Sequence, residues 1–280
     1  MKRNITLLDG AIGTSLWKKA EKLGIEKKPV WTYNITQPEI VRELAREYLE
    51  AGSQIIMANT FGANGPAVRR SSKLDVTEVV RAGVRLTREA VGDRAKVSLD
   101  VGPLTAMLEP YGDMEEDECQ EIYEEMIGAG MQENPDCITL MTFMDLEMMR
   151  IATTVARQYD VPVYCLMTFE KHGKTLMGNS VQQIVETLAP LGISGIGMNC
   201  SLGPDMALPI IREFAEYTDL PLLFKPNAGK PIMGAGGEVV APYDASAFAA
   251  DIAPALEFVD FIGGCCGCDV DFIRAIKAML

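Results

Sequence analysis

Eight short apolar runs, each followed by a longer stretch of helical period, constrain this chain more than any other feature. The runs cover residues 6–9, 54–59, 96–100, 137–142, 161–168, 194–200, 220–227 and 258–265. Amphipathic segments begin between them near Gln37, Val76, Met114, Asp145, Ser180, Pro204, Tyr243 and Asp269. Asp145, Ser180 and Asp269 each place a short side-chain acceptor just before a helical pattern, where it can cap the first free N–H groups. In the helix expected over residues 39–51, Ile40, Leu44 and Tyr48 share one stripe, with Arg42, Glu43 and Glu47 outside it. Strands that alternate with helices and read as continuous apolar runs belong to a parallel sheet covered on both faces. Eight such units in 280 residues match a single (β/α)8 TIM barrel spanning residues 1–280. A doubly wound open sheet is the structural alternative.

Composition narrows the chemistry. The net charge of −13 argues against nucleic acid, whose phosphates need a basic surface. No run of 18 uncharged apolar residues occurs, so no membrane span is expected. The apolar start of the chain ends at Asp9 and is too short for a signal peptide. The single histidine, His172, removes multi-histidine metal sites and most histidine-dependent catalysis. It stands in Glu170-Lys171-His172-Gly173-Lys174, which reads as an exposed loop. Seven cysteines, an odd number with an adjacent pair, point to reduced thiols and a cytoplasmic location rather than a disulfide framework.

Active sites of this fold sit at the C-terminal ends of the strands. Those ends carry Asp9, Asn59, Asp100, Thr142, Thr168, Cys200, Asn227 and the Cys265-Cys266 pair. Turn-forming Asp and Asn end strands for backbone reasons alone, but that does not account for three cysteines. Neighbouring strand residues face opposite ways, so both thiols of the pair reach one ion only if the backbone leaves strand geometry there. Glycines on both sides of Cys265-Cys266 permit such a turn. Three thiolates are one ligand short of a closed structural zinc site, which suggests a catalytic Zn2+ with an open position. Cys119, Cys137 and Cys165 read as buried apolar residues, and Cys268 as a packed residue at a helix start, with a spare ligand as the alternative. The cluster Met141, Met144, Met148 and Met149 reads as core and pocket lining, and Glu115-Glu116-Asp117-Glu118 as a solvated helix start.

Five segments carry a family resemblance. They are Leu8-Asp9-Gly10-Ala11-Ile12-Gly13-Thr14, Asn59-Thr60-Phe61-Gly62-Ala63-Asn64, Met198-Asn199-Cys200-Ser201-Leu202-Gly203-Pro204, Lys225-Pro226-Asn227-Ala228-Gly229-Lys230-Pro231 and Gly263-Gly264-Cys265-Cys266-Gly267. Together, in this order, the chain resembles the homocysteine S-methyltransferase family. The resemblance implies that Cys200, Cys265 and Cys266 ligate zinc, with the substrate thiol as the fourth ligand. It implies that Asp9 holds the substrate's amino group and that Asn227 offers its amide oxygen to zinc when the substrate is absent. Asn59, Asp100 and Thr142 complete the expected substrate-binding set. Two departures stand out. Met141 occupies a position where the family commonly has glutamate, and a lost charge-assisted bond to an ammonium is worth about 1.5–3 kcal/mol. Thr105 replaces a frequent glycine.

The implied reaction is attack of a zinc-bound thiolate, homocysteine by resemblance, on an activated methyl group to give methionine. No Asp-x-His-x-x-Gly signature occurs, so the methyl donor is expected from outside the chain, as a small molecule or a separate methyl-corrinoid protein. Met141 motivates an alternative: the zinc methyltransferase component of a corrinoid-dependent demethylase system acting on another substrate. A non-catalytic zinc-binding module is the remaining reading.

Overall fold

The computed structural model describes residues 4–229 and 243–280, with the backbone of Ile232–Met233 and Val239–Val240. Lys230 and Pro231 of the fourth family segment lie outside the described residues. The eight runs form strands β1 (Thr6–Leu7), β2 (Ile55–Met57), β3 (Lys96–Val101), β4 (Cys137–Phe143), β5 (Val163–Met167), β6 (Gly195–Asn199), β7 (Leu222–Lys225) and, after a short hairpin of β8 (Ile232–Met233) and β9 (Val239–Val240), β10 (Phe261–Ile262). Their order in the sheet is β1-β10-β7-β6-β5-β4-β3-β2, with every neighbour parallel. A parallel bridge between Leu8 and Ile55 joins the two ends, and Gln54 N–H donates to the Leu7 carbonyl at 2.7 Å. The sheet is therefore a barrel, and the open-sheet alternative falls.

Alternation along each strand builds two separate cores. On β4, Ile138 and Leu140 face the surrounding helices, whereas Cys137 and Met141 point into the barrel. Leu8, Ile55, Met57, Tyr164, Leu166 and Leu223 join the interior set. The rings of Tyr164 and Phe261, 5.1 Å apart by centroid, fill the end of the barrel where their strands begin. The outer core takes the expected helical stripe: Ile40, Leu44 and Tyr48 of α3 (Pro38–Ala51) are all buried. The caps also form as expected, since Asp145, Ser180 and Asp269 accept backbone N–H bonds, and Ser180 completes a capping box with Gln183.

Three further helices precede α5 (Val76–Val91): α1 (Ile12–Lys22), α2 (Tyr33–Thr36) and α4 (Gly65–Ser71). Helix α1 has little periodic signal because it buries only Ser15, Leu16 and Ala20 and carries three lysines. The last strand is shorter than its apolar run. Phe258 and Val259 still bond back to the Ala255 carbonyl, and the chain departs at Gly263. His172 lies exposed in a turn after β5. Among the described residues, no helix is long and apolar enough to cross a membrane.

Candidate metal centre

Strand β6 stops at Asn199 because the next two residues, Cys200 and Ser201, take left-handed backbone conformations with φ of 62° and 57°. Such conformations are costly for residues with a Cβ. They are held by Cys200 N–H donating to the Lys225 carbonyl at 3.1 Å, Leu202 N–H donating to the Cys200 carbonyl at 2.7 Å, and a bond between the Thr168 and Ser201 hydroxyls.

Two strands away, β10 runs into Gly263-Gly264. A Cβ at Gly263 would lie 2.7 Å from the Asp9 carbonyl oxygen, and one at Gly264 would lie 2.4 Å from Cys268 Cβ. Only glycine permits this close passage, which swings the following cysteines over the barrel mouth. The extension of β7 then clasps them. Cys265 N–H donates to the Pro226 carbonyl at 2.8 Å, and Ala228 N–H donates to the Cys266 carbonyl at 3.0 Å.

The result brings the Sγ atoms of Cys200, Cys265 and Cys266 within 4.8 Å of one another, with Cys200 and Cys266 3.7 Å apart. Tetrahedral zinc with Zn–S bonds of about 2.3 Å places its sulfurs about 3.8 Å apart, so the cluster fits this ion. Electrostatics agree. The hydrogen bond from Cys200, reinforced by burial and by the charge of the neighbouring thiol, pushes Cys265 up to about 12; three thiols this close ionise together only with a cation between them. Cys266 is exposed while Cys200 and Cys265 are half-buried, so one side of the cluster stays open. Asn227, bracketed by the two backbone bonds to the cysteine pair, is buried and its Oδ1 has no hydrogen-bond partner. Cys268 is fully buried, with its thiol directed at the Pro226 carbonyl 3.7 Å away, and it does not join the cluster. Cys119, Cys137 and Cys165 are buried, as expected.

A cavity of about 270 Å3 opens beside the cysteines. Its wall combines Ala11, Ile12, Trp17, Met57, Phe61 and Met141 with the polar groups of Asn59, Asp100, Thr142 and Lys225. Three expected substrate residues, Asn59, Asp100 and Thr142, therefore line it. Asn59 uses both amide hydrogens on Val30 O and Asn34 Oδ1, leaving its oxygen for a ligand. Thr142 adopts φ of 67° and is clamped by Asn199, which accepts from its N–H at 2.8 Å and donates to its Oγ1 at 2.7 Å. The same Asn199 amide donates to Cys265 Sγ at 3.6 Å.

Asp9 is placed differently from the other three. It is fully buried below the cavity wall, with Oδ1 2.5 Å from Lys225 Nζ and Oδ2 accepting from Met57 N–H at 2.8 Å. Burial opposes the charge on Lys225, but the Asp9 carboxylate outweighs it and raises the lysine pKa. Asp100 lies close enough to feel both charges. Burial holds its carboxyl well above the usual carboxylate range, with Lys225 opposing and Asp9 adding to the rise.

Lys225 and Asn199 are the site residues that sequence reasoning passed over. A lysine ending the apolar run Leu222-Leu223-Phe224 was the available signal for the first. For the second, the alternation rule directs Asn199 into the barrel beside Cys200.

The homocysteine S-methyltransferase family model matches residues 6–280. Methionine synthases of Mycobacterium leprae and Mycobacterium tuberculosis are each 28% identical over 99% of this chain, which spans about a quarter of their length (24% and 25%). Among solved structures, the homocysteine methyltransferase MmuM from Escherichia coli superposes with a TM-score of 0.82 in its metallated form and 0.76 in its apo form. At 20% identity over 100% of this chain and 97% of that one, this likeness speaks for the fold. The match of the family model over nearly all of the sequence decides the assignment: the chain belongs to the homocysteine S-methyltransferase family of methyltransferases.

Proposed function

We propose that this barrel transfers a methyl group to the thiol of homocysteine, giving methionine, at a Zn2+ ion held by Cys200, Cys265 and Cys266. The observation that carries this reading is the 3.7 Å Cys200–Cys266 separation within a three-sulfur cluster open on one side. When bound, zinc keeps a coordinated thiol deprotonated at neutral pH while three anionic sulfur donors preserve its nucleophilicity. The chain's own residues then do the positioning. Asn199 fixes Cys265, the glycine pair fixes the direction of both neighbouring thiols, and Asn227, whose Oδ1 has no hydrogen-bond partner, would offer its amide oxygen to the metal when the substrate is absent. Trp17, Phe61 and Met141 give the cavity beside the cysteines an apolar wall for the substrate's methylene chain. The substrate sulfur attacks the methyl carbon in line; the bond from that carbon to the donor breaks, and its electron pair leaves with the donor. No general base of the chain is required, which suits a protein with one, exposed, histidine.

The half-open cluster supports a donor that arrives from outside the barrel, either a small activated methyl compound or a methyl-corrinoid protein. Seven unpaired thiols support a reducing, cytoplasmic setting. The thioether of Met141 in the cavity wall is the observation that favours a second reading, a zinc component of a corrinoid system with another acceptor. The test is a donor-by-acceptor screen with zinc-loaded protein, alongside zinc content and methionine formation in Cys265→Ala. Loss of metal and of methionine formation supports the reading. Unchanged metal and activity in that variant refute it.

A further inference from the structure

The strand between the two that lead into the cysteines ends in a buried lysine. β7 lies between β6 and β10 in the sheet, and its last residue, Lys225, pairs in register with Asn199, the neighbour of Cys200. The Lys225 carbonyl accepts the Cys200 N–H. Its side chain is only 3% exposed, yet it lines the cavity together with all three clustered cysteines, and it is the only cation among the described residues that does so. An ammonium has three N–H donors. Among the described residues Nζ uses one of them, on Asp9 Oδ1, and that carboxylate is held in turn by Met57 N–H. Against the hydrogen bond from Cys200 and burial, which raise the Cys265 thiol, the charge of Lys225 favours its thiolate. A metal in the cluster accounts for this placement. Divalent zinc with three thiolates is a net anion, and a fourth sulfur anion doubles its charge. Burying such a charge is costly unless a counter-charge lies near it.

We propose that Lys225 is a positioning residue for the transfer: it balances the anionic metal cluster and draws the fourth sulfur to the metal as a thiolate, in preference to neutral donors. The inference rests on the zinc reading and assigns the choice of the sulfur's charge state to one side chain. Asp9 anchors the ammonium but is not itself part of the cavity wall. The thioether product carries no charge and gains nothing from Lys225. The same cation therefore favours entry of the acceptor over retention of the product.

The test uses the full chain loaded with Co2+ in place of zinc, so that ligand entry at the metal is read from the visible spectrum independently of turnover. Two probes are titrated: 2-mercaptoethanol, which adds a thiolate and has neither amino nor carboxyl group, and imidazole, which adds a neutral nitrogen donor. They are compared in the wild type, in Asp9→Asn, which keeps the cation, and in Asp9→Asn/Lys225→Met, which removes it without stranding the acid. The double variant is expected to bind 2-mercaptoethanol about tenfold or more weakly than the wild type, with its imidazole affinity unchanged. Asp9→Asn is expected to bind the thiol at least as tightly as the wild type. An unchanged thiol affinity in the double variant, an equal loss for both probes, or the same loss of thiol affinity in Asp9→Asn overturns the role of Lys225 and leaves the metal-centred reading standing. A wild-type cobalt spectrum without thiolate-to-metal bands overturns both. The contrast between the two probes in the wild type and the double variant decides the outcome even where Asp9→Asn alone does not fold.

Discussion

Lys225 on β7 and Asp9 after β1 form a buried ion pair, 2.5 Å from Nζ to Oδ1, with side-chain exposures of 3% and 0%. A buried pair adds little over a well-packed apolar substitute, but removing one partner strands the other charge at about 3–5 kcal/mol. Lys225→Met is therefore expected to lower the unfolding free energy by about that much, and Asp9→Asn/Lys225→Met to recover most of it. Denaturant titration of the wild type, the single and the double variants reads the coupling. Because the lysine pKa is raised, its contribution is fully present below the unfolded value near 10.4 and fades only as pH rises through the higher folded value. The deficit of the single variant should thus be constant across the neutral range.

Asn199 joins two parts of the site, since its amide clamps Thr142 and reaches Cys265 Sγ. Groups that orient a metal ligand typically alter metal affinity about 10–100-fold when lost. Asn199→Ala should weaken zinc binding by that order while keeping all three cysteines, measured by competition with a chelating dye. An affinity equal to that of the wild type would show that the clamp serves Thr142 alone.

The cysteines separate by location. Cys265→Ala and Cys200→Ala should abolish stoichiometric zinc, because each removes one of three clustered sulfurs. Cys268→Ala should keep the metal and lose on the order of 1 kcal/mol of stability, as a truncated buried side chain does. Metal analysis after dialysis, paired with thermal unfolding, distinguishes the two outcomes.

The parts of this molecule that could be read from sequence are those with a local signature. Apolar runs bounded by turn residues locate the strands, and glycines on both sides of Cys265-Cys266 announce the break in the eighth. Helix α1 escaped because its buried stripe is interrupted by lysines. Lys225 escaped for a different reason. A lysine at a strand end reads as a solvated terminus, and its partner lies 216 residues away. Only the sheet order, which sets β7 and β1 on either side of β10, turns it into half of a buried pair. The same arrangement pairs Asp9 with Lys225 below the cavity wall, while Asp100 lines the cavity, a distinction that strand-end position alone does not contain.

Asp100 should leave its mark on the pH dependence of stability. Its folded pKa is raised by burial, so the native state retains a proton that the unfolded chain releases near pH 3.9. The associated stabilisation is fully present below that value and is lost as pH rises toward the folded pKa, at up to about 1.4 kcal/mol per pH unit. Asn carries no such proton. The wild type and Asp100→Asn should accordingly differ least near pH 4, and the variant should gain on the wild type as pH increases until the raised value is passed. Urea midpoints of the ligand-free proteins from pH 4 to 8 provide the check. A pH-independent difference would mean that Asp100 is already ionised in the native state, held so by Lys225.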